Sequence, residues 1–386
     1  MSPPPSFEDA FGSKVCKQEK ALYGLKQSQR AWFDRFTHFV KNQGYGQAQS
    51  DHTLFIKHLR GKVPILIVNV DDIILTGDDR EEIKVLEKKL AREFKVKDLG
   101  EVRYFLGMEI ARSKEGIVVS QRKYILNLLK ETGMSACKPA NTPEDPNQKL
   151  GNIQEGVPIN KSQYQRLVGK LIYLSYTRPD IAFEVSMVSQ FMHCRYEEYL
   201  EATYRILRYL KSCPGKGLLF KKGNNRTIEA FTDADWAGSD VDRRSTSGYC
   251  TYVCGNLVTW RSKKQNVVAR SSDEAEFRSM ANGVCELLCI KRVLEELKLE
   301  VVWPMKLFYD NKAAISIAHN PVQHDRTKHI EVDRHFIKEN LDAVIICIPF
   351  VSTNDQNADI LTKGLIRPIF ESLVDKLGMV YIHLPT

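Results

Sequence analysis

Hydrophobic positions in the N-terminal part of the chain follow two spacings, one typical of helices and one typical of strands. Apolar residues that recur every three or four positions predict helices at residues 30–43, 79–94 and 124–131. Short runs rich in β-branched residues predict strands at residues 53–56, 64–68, 73–75, 104–110 and 117–120. Asp71 and Asp72 lie between two of these strands, which indicates a β-hairpin with carboxylates at its tip.

The middle of the chain has a stretch without regular spacing. Residues 138–160 contain several prolines among polar residues, which predicts a linker or a long surface connection. Helical spacing returns at residues 163–176 and 196–210. We therefore expect a helical region after the connection.

Strand patterns dominate from residue 227 onward. They predict strands at residues 228–231, 248–253, 257–260, 305–309 and 343–351. Helices are predicted at residues 272–297, 312–318, 332–340 and 358–361. Three strands followed by alternating helices and strands predict a mixed sheet with helices packed on its faces. The predicted fold class is α/β, of the α+β kind.

The composition is that of an ordinary globular protein with a basic balance. Hydrophobic residues make up 43% and charged residues 27% of the chain, whose length allows two or three domains. Because no apolar run approaches ~20 residues and no secretory signal is evident, we expect an intracellular protein of the cytoplasm or nucleus. The net charge of +8 favours a polyanionic partner such as nucleic acid, although a solvated basic face is the alternative.

Two cysteine pairs raise the question of a zinc site. Cys250 and Cys254 share one face of a predicted strand, and Cys285 and Cys289 share one face of a predicted helix. Structural zinc sites usually set their paired cysteines on tight turns. We therefore expect buried free thiols rather than a zinc site.

Four acidic residues in the C-terminal half follow strand ends or lie on neighbouring helices. Asp233 ends one predicted strand, Asp310 ends another, Glu276 lies on the long helix and Asp359 opens the last predicted helix. Clustered carboxylates repel one another unless a cation neutralises them, and hard oxygen donors suit Mg²⁺. Two such ions ~4 Å apart can activate water and stabilise the leaving oxygen in phosphodiester cleavage. The alternative is chance placement, with Asp359 acting as a helix cap.

The segments around these acids resemble a known family. The segments FTDADWAG at 231–238, SSDEAEF at 271–277, YDN at 309–311 and NADILTK at 357–363 resemble the motifs of a copia-type retrotransposon RNase H. The resemblance, which covers nearly the whole chain, implies an RNase H-like mixed five-stranded sheet. It also implies that Asp233, Glu276, Asp310 and Asp359 bind metal, with Asp235 and Glu274 as the neighbouring alternatives.

The same resemblance implies cofactors and a substrate. The family uses Mg²⁺, with Mn²⁺ as an alternative, and we expect two ions at the acid site. It cuts the RNA strand of an RNA–DNA hybrid and leaves a 3′-hydroxyl and a 5′-phosphate. The expected partner is therefore an RNA–DNA hybrid rather than a membrane.

The N-terminal half resembles the reverse transcriptase of these elements, in the segments ALYGLKQS at 21–28, VDD at 70–72 and FLGMEI at 105–110. By this resemblance Gln27 contacts the incoming nucleotide, and Asp71 and Asp72 bind metal on the palm hairpin. Asn69 departs from the family, which usually has an aromatic residue there. A third aspartate is expected upstream of the matched segments, so we expect the chain alone to lack polymerase activity. The implied domains are a partial palm at 1–114, a thumb-like connection at 115–225 and an RNase H-like domain at 226–386.

Basic residues after a predicted strand suggest contacts with nucleic acid. Trp260, Arg261, Lys263 and Lys264 combine an aromatic ring with positive charges, which suits base stacking and phosphate contact. The alternative is a solvated turn with a core tryptophan. Arg243 and Arg244 follow Asp233 closely and are further candidates for the backbone of a hybrid.

His324, His329 and His335 would suit a soft or borderline metal. The acids nearby favour Mg²⁺ instead, so we do not expect a histidine metal site. Three functional hypotheses remain from the sequence. The first is an active Mg²⁺-dependent RNase H joined to a remnant palm. The second is an inactive nucleic-acid-binding remnant of a decayed element, and the third is a fragment that cannot fold stably.

Overall fold

The computed structural model describes residues 26–70, 72–145, 150–151, 156–193, 196–223, 225–319 and 331–381. The chain separates into two compact units. The first contains the described residues up to Gly100 together with Arg292–Leu299, and the second contains the remaining described residues. The three-part domain division stays a prediction.

The first unit is a four-stranded antiparallel sheet with two helices. Its elements are α1 (Lys26–Asn42), β1 (Gly46–Gln47), β2 (Leu54–Ile56), β3 (Ile65–Asn69), β4 (Asp72–Thr76) and α2 (Arg80–Phe94), and the strand order is β1-β2-β3-β4. Phe36, Phe55 and Leu66 are fully buried between helix and sheet. The Asp79 side chain accepts a hydrogen bond from the Glu82 amide, so it caps α2 as expected for an acidic N-cap.

The predicted hairpin is confirmed, with Asp72 at its tip. β3 pairs with β4 in antiparallel register, and the last pair before the turn is Asn69 with Asp72. Val70 adopts a left-handed φ of 52° in the turn and is exposed. Asp72 is therefore exposed at the hairpin tip, whereas Asp71 lies outside the described residues.

The second unit contains the remaining elements. Its helices are α3 (Arg122–Glu131), α4 (Lys161–Ser175), α5 (Ala182–Ser189), α6 (Glu197–Ser212), α7 (Ser272–Glu296), α8 (Lys312–His319), α9 (Glu331–Asp342) and α10 (Arg367–Lys376). Its first strands are β5 (Tyr104–Phe105), β6 (Met108–Arg112), β7 (Gly116–Ser120) and β8 (Lys216–Lys221). They are followed by β9 (Ile228–Asp235), β10 (Thr246–Val253), β11 (Asn256–Lys264), β12 (Met305–Phe308), β13 (Ile346–Cys347) and β14 (Met379–Tyr381).

One sheet of the second unit is antiparallel, with the order β14-β8-β7-β6-β5. The predicted single strand at 104–110 is wrong, because the chain turns at Leu106 and Gly107, both of which have positive φ. β8, β14, α5 and α10 were not predicted. The two strands among them pair with strands distant in the sequence, so their existence depends on tertiary contacts rather than on local spacing.

The second sheet of this unit is mixed, with the order β11-β10-β9-β12-β13. β9, β10 and β11 pair antiparallel, whereas β12 runs parallel to β9 and β13 parallel to β12. The predicted fold class, including a mixed five-stranded sheet with helices, is confirmed. The predicted strand at 343–351 is reduced to β13, followed by an isolated bridge between Tyr309 and Phe350.

A hydrophobic core in the second unit contains the fully buried side chains of Tyr164, Leu171 and Tyr199. One fully buried ion pair lies within this unit, between Arg178 and Asp180 at 2.7 Å. The Tyr209 hydroxyl donates to the same Asp180 carboxylate at 2.6 Å. These bonds satisfy the buried charges, which would otherwise strongly destabilise the core.

A membrane-spanning helix must be both long and apolar. Across the described ranges, no helix is both long enough and apolar enough to cross a membrane.

Candidate active site

Strand register places the first two acids side by side. β12 runs parallel to β9 with Phe308 opposite Phe231, and the two rings stack at 4.8 Å between centroids. Asp310 follows Phe308 by two residues, and Asp233 follows Phe231 by two residues. Because side chains two residues apart share a face of a strand, the two carboxylates lie at neighbouring positions. Asp233 does not end β9 as predicted, because the strand continues to Asp235.

A 3₁₀ helix, Asn357–Leu361, brings the third acid to this edge. Gly248 on β10 pairs with Asp233, and a Cβ at Gly248 would lie 2.8 Å from the Leu361 Cβ. The missing side chain therefore allows the 3₁₀ helix to pack directly on β10. The side-chain amide of Gln356 donates to the Thr232 carbonyl at 3.0 Å and fixes the start of the 3₁₀ helix. Asp359 lies inside the 3₁₀ helix, so the prediction that it opens the last α-helix is wrong.

The long helix α7 carries the fourth acid over the same sheet. The Ser279 hydroxyl donates to the Asp233 carbonyl at 2.6 Å. A Cβ at Gly283 would meet the Thr232 side chain and lie 3.0 Å from Leu307 Cδ1, so this glycine permits close packing of α7 on the sheet. Glu276 lies one turn before Ser279. Its Oε2 is buried without a hydrogen-bond partner.

Three of the predicted acids form a tight cluster. One carboxylate oxygen each from Asp233, Asp310 and Asp359 lies within 4.8 Å of the others. Among the described residues, this is the one group of three or more acidic, histidine or cysteine side chains with the geometry to hold a metal ion.

Burial and mutual repulsion shift the pKa values of two of these acids. Burial raises the pKa of Glu276 to about 8, and the nearby charges of Asp233 and Asp310 add to the effect. Burial, followed by the charge of Asp233, raises the pKa of Asp359 to about 6. Such shifts indicate a site with a deficit of positive charge.

Two further residues contact the cluster and were not among the predicted site residues. Lys363 Nζ lies 3.2 Å from Asp233 Oδ2 and 3.0 Å from Asp359 Oδ1. The Thr362 hydroxyl donates to the same Oδ2 of Asp233. Both residues lie in the NADILTK segment. Asp359 and Lys363 are four residues apart, a spacing that indicates contact on a helical turn.

A third contact comes from a residue that no sequence motif marks. The Thr353 hydroxyl donates to Asp310 Oδ2 at 3.3 Å. Thr353 is far from Asp310 in the chain and lies outside every motif that carried the resemblance.

The neighbouring acid Glu274 has structural partners instead. Glu274 Oε2 accepts a hydrogen bond from the Arg270 amide at 2.8 Å, while Oε1 pairs with Arg278 at 3.0 Å. The Glu274 amide in turn donates to the Ser271 hydroxyl at 3.2 Å. This reciprocal arrangement resembles a capping box at the start of α7. It favours Glu276 over Glu274 as the acid of the cluster. Asp235, the other neighbouring alternative, lies outside the group of three acids, as Glu276 does.

The predicted basic candidates fall into two groups. Trp260 and Lys264 make internal contacts: the Trp260 indole donates to the Ser175 carbonyl at 2.9 Å, and Lys264 pairs with Asp242 at 2.7 Å. Their stretch does not follow β11 as predicted but forms its end. The placement favours structural roles for these two residues. Arg261, Lys263 and Arg243 are exposed, and Arg244 is half-buried beside Asp242.

The remaining candidates lie apart from the cluster or outside the described residues. Gln27 is exposed on α1 of the first unit, and its predicted nucleotide contact stays a prediction. His335 is exposed and lies 3.9 Å from Glu331, whereas His324 and His329 fall outside the described residues.

Among the cysteines considered for zinc, Cys250 is buried, and burial raises its pKa to about 12. Cys285 and Cys289 are exposed, so the expectation of buried thiols is wrong for that pair. α7 presents this face to solvent.

The donor set at the cluster fits hard divalent cations. All four acids offer carboxylate oxygens, the ligand type that Mg²⁺ and Mn²⁺ prefer. The buried Oε2 of Glu276 accepts no hydrogen bond from the described residues, so it is available as a metal ligand. Buried oxygens of this kind are costly unless a cation or proton satisfies them.

Comparisons with known proteins give a consistent result. The family described as "Reverse transcriptase (RNA-dependent DNA polymerase)" matches residues 1–146. The "Retrovirus-related Pol polyprotein from transposon RE1" of Arabidopsis thaliana is 42% identical over 99% of this chain and 26% of its own length. The corresponding polyprotein from transposon TNT 1-94 of Nicotiana tabacum is 37% identical over 98% of this chain and 29% of its own length.

Among solved structures, the N-terminal RNase H domain of rv2228c from Mycobacterium tuberculosis, solved as a fusion with maltose binding protein, matches at 9% identity. The match covers 39% of this chain and 98% of that chain, with a TM-score of 0.28, which is too low to support a conclusion.

The sequence matches define the class first: a protein related to reverse transcriptases. The chain belongs to the family of copia-type retrotransposon Pol polyproteins. It spans about a quarter of the length of these two polyproteins.

Proposed function

We propose that the chain is a reverse transcriptase–RNase H fragment whose acid cluster hydrolyses the RNA strand of RNA–DNA hybrids. The observation that carries the proposal is the convergence of Asp233, Asp310 and Asp359 within 4.8 Å, from three segments that are distant in sequence. Family membership supports nucleic acid as the substrate class.

The four acids have a common role in this proposal. Asp233, Glu276, Asp310 and Asp359 would hold two divalent cations, Mg²⁺ or Mn²⁺. Bound cations would supply activation of the attacking water and stabilisation of the leaving oxygen.

The hydroxyls around the cluster prepare the carboxylates for this role. Thr362 donates to Asp233 and Thr353 donates to Asp310, so both carboxylates are oriented before any ligand arrives. Burial of Asp233 and Asp359 lowers the local dielectric, which strengthens interactions with a cation and with a phosphate held by it.

The substrate contacts are proposed from exposed positive charge. Arg243, Arg261 and Lys263 are exposed and would meet the phosphate backbone of a hybrid, which binds mainly through such charges. For the palm region we propose metal binding by Asp71 and Asp72 and nucleotide contact by Gln27. Primer extension by the purified chain, with and without MgCl₂, tests this part of the proposal.

The test of the RNase H proposal uses the purified chain and an RNA–DNA hybrid with labelled RNA in the presence of MgCl₂. We expect cleavage that leaves 3′-hydroxyl and 5′-phosphate ends and that requires the divalent cation. Asp233→Asn removes a charge at the centre of the cluster and is expected to lower the rate about 10²-fold or more, as loss of a group that stabilises the transition state does.

The matched control is Asp375→Asn, because Asp375 is an exposed acid on α10. This variant is expected to cleave at the wild-type rate. Hybrid binding without cleavage by the wild-type chain would refute the enzyme and favour the nucleic-acid-binding remnant. Cleavage that survives in Asp233→Asn would place the chemistry elsewhere.

A further inference from the structure

Lys363 occupies the acid cluster in a way that the proposed catalysis does not explain. Its ammonium bridges two carboxylates from different segments, Asp233 on β9 and Asp359 on the 3₁₀ helix. The Lys363 amide also donates to the Asp359 carbonyl at 3.0 Å, which fixes its backbone beside the site. A single cationic side chain therefore joins the two buried acids of the cluster.

The exposure of these groups differs sharply. The Lys363 side chain is 36% exposed, whereas the side chains of Asp233 and Asp359 are 4% and 9% exposed. The lysine thus reaches into the cluster from the solvent side along a flexible stem. Lys363 is thus the most exposed member of this group, whereas the acids are held by the sheet and the 3₁₀ helix.

The position of the ammonium matters for the carboxylate oxygens. Asp233 Oδ2 also accepts a hydrogen bond from Thr362, so this oxygen is already saturated by protein donors. Lys363 engages one oxygen of each carboxylate, so a cation that binds those oxygens competes with it, and a cation on the other two oxygens lies beside its positive charge. Two positive groups close to the same oxygens also repel each other.

We propose that Lys363 is an internal counter-cation of the acid cluster. It joins Asp233 to Asp359 in the metal-free protein and must release them before a divalent cation binds. Lys363 is a positioning residue that stabilises the metal-free fold and weakens metal affinity. The inference rests on the proposed metal site and adds a mechanism that regulates its occupancy.

The substitution Lys363→Gln separates these two effects because they have opposite signs. Without MgCl₂, in EDTA, the variant is expected to melt a few °C below wild type, because the acids lose their counter-charge. In a MgCl₂ titration followed by calorimetry and thermal melting, it is expected to bind Mg²⁺ about fivefold more tightly, the size of a screened charge–charge repulsion. Lys363→Arg keeps the charge and is expected to restore both wild-type values.

The matched control is Lys376→Gln. Lys376 has a similar side-chain exposure of 33% and pairs with Asp355 at 2.8 Å, an acid outside the cluster. This variant removes the same charge from the chain and is expected to leave the Mg²⁺ affinity unchanged. A merely structural role for Lys363 would lower the melting temperature and leave the affinity at the wild-type value.

The outcomes distinguish this inference from the proposed function. Mg²⁺ that stabilises wild type but binds Lys363→Gln with equal or weaker affinity would overturn the counter-cation and leave the metal site intact. Mg²⁺ that stabilises neither wild type nor Lys363→Gln would overturn the metal site itself. Tighter binding by Lys363→Gln but not by Lys376→Gln supports the inference.

Discussion

Two glutamates on one turn of α7 have different physical roles. Glu276 points into the acid cluster and has a buried oxygen without a partner. Glu274, two residues earlier, is engaged by the Arg270 amide and by Arg278. Because the helix rotates about 100° per residue, a displacement of two residues directs side chains to nearly opposite faces. The same residue type therefore contributes to chemistry at one position and to helix capping at the other.

The pair of substitutions Glu276→Gln and Glu274→Gln tests this division. Glu276→Gln is expected to abolish most of the stabilisation by MgCl₂ and to leave the metal-free stability at or above that of wild type, since burial raises the pKa of Glu276 to about 8 and its ionised form is disfavoured in the fold. Glu274→Gln is expected to cost about 0.5–1 kcal/mol of metal-free stability, because it keeps an acceptor for the Arg270 amide and loses the ion pair with Arg278, and to keep the response to MgCl₂. Thermal and denaturant unfolding with and without MgCl₂ measure both quantities. The reverse pattern would exchange the two roles.

At the scale of elements, the acid site depends on close packing of α7 and the 3₁₀ helix against the mixed sheet. Gly283 removes the side chain that would collide with Thr232 and Leu307, and Gly248 does the same beneath the 3₁₀ helix. Both glycines lie in regular structure, where glycine by itself is destabilising. The two glycines allow the backbones of α7 and the 3₁₀ helix to approach the sheet closely. This approach determines the positions of Glu276 and Asp359.

Gly283→Ala is expected to lower the free energy of unfolding by about 1–3 kcal/mol, because the added methyl group overpacks the interface between helix and sheet. It is also expected to reduce hybrid cleavage, because α7 and Glu276 must shift outward. Gly169→Ala on α4 is the control: a Cβ there meets nothing within 4 Å, so the variant is expected to gain about 0.5–1 kcal/mol. Denaturant unfolding measures both changes, and equal effects at the two positions would refute the packing argument.

At the scale of the whole molecule, segments far apart in sequence bury acids against one another within the second unit. Glu144, in the connection before α4, packs so closely on Gly364 that a Cβ at the glycine would lie 2.7 Å from Glu144 Oε2. Burial raises the pKa of Glu144 to about 7, with Asp145 adding to the rise and Arg205 opposing it. Burial also raises the pKa of Glu184 on α5 well above its usual range, and the nearby Glu144 adds to this shift. Tertiary packing thus holds acids where their ionised forms are disfavoured.

This packing predicts a pH dependence of stability. A carboxyl whose folded-state pKa is raised from 4.5 to about 7 stabilises the fold fully below pH 4.5 and loses that contribution as pH rises through 7. Glu144→Gln is expected to flatten the fall of the unfolding free energy over this range, by up to about 3 kcal/mol between the two ends. The measurement is denaturant unfolding from pH 5 to pH 8, with Glu115→Gln at an exposed position as the control. An unchanged slope in Glu144→Gln would contradict the assignment.

The sequence by itself determined most of the elements and the identity of the acids. Hydrophobic spacing predicted the palm hairpin, the long helix and the mixed sheet because periodicity follows from local backbone geometry. The segments around Asp233, Glu276, Asp310 and Asp359 identified the candidate cluster, since each acid stands in a recognisable motif. The strands β8 and β14 were not predicted, because such strands form only when a distant partner supplies their hydrogen bonds.

The tertiary structure alone decided how the acids meet and what accompanies them. It set the parallel register that aligns Asp233 with Asp310, and it placed Thr353 on Asp310 from a segment that no motif marks. It also directed Trp260 into internal contacts and Lys363 into the acid cluster. Distances between side chains from separate segments depend on how the sheet, the long helix and the 3₁₀ helix pack. Local spacing along the chain carries no information about that packing.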